Sequence, residues 1–267
     1  MLDIRNLEMH VAHSCNLACE SCSHYSNQAH KGLLEIEEAE RWMLAWSERV
    51  RPAIFSLLGG EPTIHPRLAE FVPVARRCWP ASEIRIVTNG FLLSRHPDLP
   101  RRMAEDGNVR ICVSAHHESP AYTSRLKPVV ELLEGWVREY GITVNSYPSS
   151  RWWRRTYKGF GATMEPFEDN EPRSSWENCN ARFCPQLFDG RIWKCGPVAY
   201  LGMQNAKYGL SEKWRPYLDY RPLEADCPDS ELIAFFTREE EACCTMCPAR
   251  PEHFVLPLPF PTRAARL

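Results

Sequence analysis

Cys15, Cys19 and Cys22 read C-x3-C-x2-C in the stretch from His13 to His24. Thiolates hold Fe–S clusters, and a [4Fe–4S] cube takes four of them. Three cysteines so close together grip three irons and leave the fourth open. An open iron can bind a small molecule, as the open position of a catalytic zinc does. The competing chemistry is half of a structural zinc site. Zinc thiolates come as pairs two to four residues apart, and two pairs make a site; no second pair follows nearby. More sulfur donors lie far downstream. Cys179 and Cys195 flank Asp189-Gly190 as C-x10-G-x4-C, and Cys244-Thr-Met-Cys247 is a C-x2-C pair. Asp-Gly is a hairpin signal. A hairpin pair plus a distant C-x2-C makes a four-thiolate site, for a cluster or for zinc. Cys184 is the alternative to Cys179 as its first ligand.

Strand and helix patterns alternate through residue 148. Leu7–Ala12 alternates like a strand leading into the cysteine loop. Residues 34–50 look helical, with Trp42, Trp46 and Val50 on one face. Ala53–Leu58 is a buried strand ending at Gly59-Gly60-Glu61-Pro62 (GGEP). Pro66–Trp79 reads as a helix, and Glu83–Val87 as a strand ending at Thr88-Asn89-Gly90 (TNG). Leu99–Asp106 reads as a helix, Val109–Ser114 as a strand, Ser119–Tyr140 as a long helix closed by Gly141, and Ile142–Tyr147 as a strand. A sixth strand is expected after residue 150. Repeated strand–helix units imply parallel strands with right-handed crossovers. In barrels of this kind sites gather at the C-terminal ends of strands. The triad, GGEP, TNG and Ser114 all fall there. Gly59-Gly60 is by itself a tight turn, with Glu61 solvated; Ser114 is by itself a strand-end hydroxyl.

The cysteine triad, GGEP and TNG in this order resemble the radical S-adenosylmethionine (radical SAM) superfamily over about residues 8–148. One departure is Ser21, where that family usually has an aromatic residue before the third cysteine. The resemblance implies an α/β fold: a partial (β/α)6-type barrel with a small C-terminal Fe–S extension. It implies that Cys15, Cys19 and Cys22 hold a [4Fe–4S] cluster. The open iron of that cluster would chelate SAM, and one electron would release methionine and a 5′-deoxyadenosyl radical. Gly59, Gly60, Glu61 and Pro62 would serve the SAM amino group. Thr88, Asn89 and Ser114 would lie near its methionyl or ribose part, and Val144 near its adenine. Cys179, Cys195, Cys244 and Cys247 resemble the ligands of the twitch extension, a shortened SPASM domain carrying one auxiliary [4Fe–4S] cluster. An electron donor such as flavodoxin or ferredoxin is implied.

The chain has 267 residues, 44% of them apolar, and a formal net charge of -2. That is enough for a sizeable core, and nothing favours nucleic acid or an anionic membrane as partner. No signal-peptide layout opens the sequence and no apolar run approaches a bilayer's length. Twelve cysteines in so long a chain read as reduced thiols of a cytoplasmic protein. The expected divisions are 1–150 for the barrel, 151–178 for a connecting or substrate-covering segment, 179–250 for the twitch domain and 251–267 for a Pro-rich tail. Cys78 and Cys112 read as buried apolar residues. Cys227 and Cys243 are hydrogen-atom donors or structural. His24 and Tyr25 follow the cysteine loop, and His116 and His117 follow the fourth strand, as candidate substrate-facing residues.

A fully ligated second cluster has no open iron, so electron transfer is its natural role. The expected reaction is therefore oxidation of a small-molecule substrate. Epimerisation with a thiol donor such as Cys227, or peptide modification in a natural-product pathway, are the alternative reactions. The absence of a leader-binding segment before the first strand disfavours the peptide reading. The non-enzyme alternative is a zinc-stabilised binding module.

Overall fold

The computed structural model describes residues 1–258; the rest of the expected tail lies outside them. The strands are β1 (Leu2–Ala12), β2 (Val50–Gly59), β3 (Glu83–Thr88), β4 (Val109–Ser114), β5 (Thr143–Tyr147), β6 (Gln186–Phe188) and β7 (Arg191–Trp193). They form one open seven-stranded sheet in the order β5-β4-β3-β2-β1-β6-β7. All neighbours are parallel except the β6–β7 hairpin. The helices of the barrel half are α1 (Ile36–Ser47), α2 (Phe71–Cys78), α3 (Leu99–Asp106) and α4 (Pro120–Tyr140). Short helices follow: α5 (Pro172–Glu177), α6 (Gly196–Ala199), α7 (Leu201–Tyr208), α8 (Arg215–Leu218) and α9 (Asp229–Thr237).

The alternation of side chains along strands divides this sheet into two chemically different faces. Met9, Leu57, Ile86, Ile111 and Val144 align in one row across β1 to β5. They belong to the main core with Ala39, Met43 and Trp46 of α1 and Phe71, Val72 and Ala75 of α2. Glu8, Ser56, Arg85 and Arg110 align in a neighbouring row on the opposite face. Glu83 holds both arginines there: its Oε2 accepts from Arg110 at 3.0 Å, and it also pairs with Arg85. The concave face is thus polar, and the helix-facing side is the hydrophobic core.

Local signals explain the element boundaries. Ser119 caps α4 by accepting from the Tyr122 N–H at 3.3 Å, and Gly141 ends it with φ +66°. α2 starts only at Phe71. Glu61 and two prolines first shape the chain into 3-10 turns at Pro62–Ile64 and Leu68–Glu70. Val50 belongs to β2 rather than to the preceding helix, because it pairs with Leu2. The strand expected after residue 150 exists as β6, but it joins β1 and leaves β5 as an edge. The hairpin turns at Asp189 and Gly190, both with positive φ. Trp46, wholly buried, donates its indole N–H to Gly190 O at 2.9 Å, pinning the hairpin to α1. No helix among the described residues is long and apolar enough to cross a membrane.

Candidate active site

The loop carrying Cys15, Cys19 and Cys22 leaves the C-terminal end of β1 and is bonded directly to the turn after β2. Gly60 N donates to Ala12 O and Glu61 N to Ser14 O, both at 2.9 Å. A Cβ on Gly59 would stand 2.1 Å from Ala12 O, and one on Gly60 2.3 Å from Ser14 O. The two glycines are therefore required by the approach of two protein backbones. Burial pushes all three thiols up; Glu61, then Cys19 and Cys22, raise Cys15 further, and Cys22 raises Cys19. The backbone N–H groups of His24, Tyr25, Ser26 and Asn27 face the Cys22 sulfur and oppose that rise. Such a nest of donors suits an anionic sulfur.

Glu61 is 1% exposed, not solvated. Its carboxylate accepts from Thr63 N at 3.0 Å and Asn89 N at 2.7 Å, and from the hydroxyls of Thr63 and Thr88. Burial raises its pKa, and these donors oppose the rise. The carboxylate thus clasps the GGEP turn to the TNG turn. Pro62 is buried at the start of the 3-10 turn. Asn89 reaches the cysteine loop: its Nδ2 donates to Asn16 Oδ1 at 2.7 Å. Asn16 was not a sequence candidate, because a single Asn in a loop carries no pattern. Ser114 ends β4 half-buried, paired with Tyr147. Val144 does not join these residues. It sits in the helix-facing row and lines an apolar groove of 360 Å³ against α4.

The second set assembles from three segments. Cys179 follows α5, Cys195 follows β7, and Cys244 and Cys247 lie at the 3-10 turn Ala242–Met246. Burial pushes the Cys247 thiol up first, and the neighbouring charges of Cys179, Cys195 and Cys244 push it further. Burial, then Cys179 and Cys244, raise Cys195 in the same way. Cys184 differs in its main neighbour: after burial, its thiol is raised by Glu8 on β1 and only then by Cys179. Cys243 donates to the Cys244 sulfur, which holds Cys244 down to about 7. Cys227 is buried beside Arg49, just before β2 begins. β2 is ten residues long, so about 30 Å of strand separates Cys227 from the GGEP turn.

The segment after β5 lies across the cysteine loop. Ser21 Oγ accepts from Thr156 N at 2.8 Å, and the Trp153 indole donates to Glu20 O at 2.8 Å. Ser21, with φ +56°, thus uses its hydroxyl to hold this segment down. A cavity of 160 Å³ lies between the loop and the second set, touching Ser21, Trp153, Arg154, Cys179 and Cys247. His116 is half-buried, its ring 5.4 Å from that of Trp153. Burial holds its pKa down at about 4. His117 Nδ1 accepts from Ser119 N at 2.9 Å and shapes the entry to α4. Tyr25 and His24 are turned to the C-terminal part. Tyr25 donates to Pro197 O at 3.0 Å, and His24 Nδ1 is 3.2 Å from His10 Nε2. His10 stacks on Tyr200 with ring centroids 3.9 Å apart. No periodicity in the sequence signals this buried network.

Residues 9–147 match the family model for the radical SAM superfamily. The chain belongs to that superfamily, whose enzymes use SAM and a [4Fe–4S] cluster. It is 28% identical over 138 residues to GTP 3',8-cyclase of Peptoclostridium acidaminophilum, and this match covers 49% of the chain and 41% of that protein. Among solved structures it is similar to BtrN in complex with AdoMet and 2-DOIA, with a TM-score of 0.53 and 16% identity. That match covers 95% of the chain and 98% of BtrN. Native anSMEcpe with bound AdoMet and Cp18Cys peptide is similar at a TM-score of 0.40 and 17% identity, covering 53% of the chain and 42% of that structure.

Proposed function

We propose that this radical SAM enzyme binds two [4Fe–4S] clusters and oxidises a small hydroxylated molecule. Cys15, Cys19 and Cys22 would hold the first cluster. Cys179, Cys195, Cys244 and Cys247 would hold the second, within a twitch extension over 179–250, and residues 151–178 would cover the substrate. The observation that carries the reading is that these last four cysteines, from three separate segments, act on one another as neighbours, with Cys179 and Cys247 on one cavity wall, whereas Cys184 is raised by Glu8 before Cys179. A zinc site would need sulfurs about 2.3 Å from one ion. A four-iron cube takes one thiolate at each corner and spreads them wider.

When bound, SAM and the first cluster supply a 5′-deoxyadenosyl radical, and the second cluster supplies an electron acceptor. One SAM and one alcohol would give one carbonyl, methionine, 5′-deoxyadenosine and one proton, which balances. The chain's own residues do the rest. Glu61, Thr88 and Asn89 fix the turns around the cysteine loop. Ser21 and Trp153 hold a cover that excludes water. The polar row of Glu8, Ser56, Arg85 and Arg110 suits a hydroxylated ligand. The full-length likeness to BtrN, whose structure was solved with AdoMet and 2-DOIA, supports a fold suited to a small substrate. The alternative epimerase loses Cys227 as its donor, since Cys227 lies at the far end of β2.

The test is reductive cleavage of SAM by anaerobic, dithionite-reduced protein. Replacing Cys15, Cys19 and Cys22 with Ala abolishes formation of 5′-deoxyadenosine; Cys244→Ala with Cys247→Ala leaves slow cleavage. Persistent cleavage in the triple variant would show that the triad is not the SAM site.

A further inference from the structure

Arg154 is a half-buried guanidinium in the cover segment, on the wall of the 160 Å³ cavity shared with Cys179 and Cys247. Among the described residues it forms no ion pair; its side chain donates to the amide oxygen of Asn180. Taking a charge partly out of water costs free energy unless an opposite charge faces it. Cys179 and Cys247 share its cavity wall. Burial pulls its pKa down, and Cys179 and Cys247 pull it back up. The other charges near the set are already engaged. Lys194 pairs with buried Glu241 at 3.3 Å, and Glu241 also pairs with Arg238. Arg182 also acts on Cys179, but it is exposed, lies over the Phe183 ring and donates to Glu177 O.

Building on the four-cysteine cluster proposed above, we infer that Arg154 is the counter-ion of that set and raises the reduction potential of the cluster it holds. Cluster potentials respond to net charge, hydrogen bonds and exposure. The reduced cluster carries one more negative charge than the oxidised one. A fixed cation beside two of its ligands therefore favours the reduced form. Arg154 in this role acts through the cluster and tunes it as an electron acceptor for a substrate radical.

The experiment is an EPR-monitored redox titration of the full chain bearing Cys15→Ala, Cys19→Ala and Cys22→Ala, so that only the second cluster is read. Arg154→Gln should shift the equilibrium at least tenfold toward the oxidised form, a lowering of 59 mV for one electron. Arg154→Lys should recover most of that shift, because it keeps the charge. Asn180→Asp keeps the oxygen that Arg154 bonds and gives up only the 3.3 Å Nδ2 bond to Trp152 O; it places a carboxylate on Arg154 at an exposed position and should lower the potential in the same direction. A potential unchanged in Arg154→Gln and Asn180→Asp, with iron and sulfide retained, overturns the inference alone. An equal shift in Arg154→Gln and Arg154→Lys overturns it too, since shape rather than charge would then be responsible. If the parent chain binds no second cluster, the proposed function fails with it.

Discussion

Gly60 sits where a side chain would collide with the cysteine loop itself. The nearest atom to an added Cβ is Ser14 O at 2.3 Å. Gly60→Ala should therefore lower the melting temperature before any ligand is added, at a cost of about 1–3 kcal/mol from overpacking. It should also reduce iron retained on the triad. Differential scanning calorimetry of ligand-free protein checks this; an unchanged melting temperature with weakened SAM binding would return Gly60 to the ligand. Glu61 makes a parallel case. Its carboxylate takes hydrogen bonds from Thr63, Thr88 and Asn89. A glutamine there presents an NH2 to donors. Glu61→Gln should cost about 1–3 kcal/mol of stability, read from urea unfolding. A midpoint equal to the parent's would show that the clasp is not needed.

At the scale of elements, the barrel half was readable because its signals are local. α3 and β4 fall at the expected residues, and α4 lies between its Ser119 cap and Gly141. Strands with one apolar, helix-facing side and one polar side leave alternating runs such as Ile84-Arg85-Ile86, and right-handed crossovers leave few topologies. What could not be read depends on contacts between distant segments. Nothing in residues 186–188 signals that they pair with β1, nor that Ser21 holds Thr156. Two predictions belong here. Gly135 lies inside α4 with nothing within 4 Å of an added Cβ. Gly135→Ala should stabilise the protein by about 0.5–1 kcal/mol, seen as a higher urea midpoint; a lower midpoint would mean the helix is not packed as described. Ser21→Ala should loosen the cover segment without removing the cluster. Amide hydrogen exchange should quicken around Thr156 and Tyr157, while iron content stays level; unchanged exchange there would place the anchor elsewhere.

For the whole molecule, one cavity touches Ser21 and Ser23 of the cysteine loop on one side and Cys179 and Cys247 of the second set on the other, with Trp153 and Arg154 of the cover on its wall. The order C-x3-C-x2-C, GGEP and TNG pointed to the superfamily from sequence, since each motif ends a strand on the same rim. The partners inside the C-terminal part were harder to choose. Spacing leaves Cys184 open as the alternative to Cys179, and it takes the fold to bring the Cys184 thiol beside Glu8. Val144 illustrates the opposite limit. One residue's shift along a strand moves a side chain to the other face, and Val144 faces the helices. The central claim is that one chain holds two independent four-iron clusters. Its most direct measurement is iron and acid-labile sulfide per chain in anaerobically purified protein, for the parent and for the Cys15→Ala, Cys19→Ala, Cys22→Ala variant. The account predicts about eight of each in the parent and about four in the variant. Zinc without sulfide, or a triple variant with no iron at all, would contradict it.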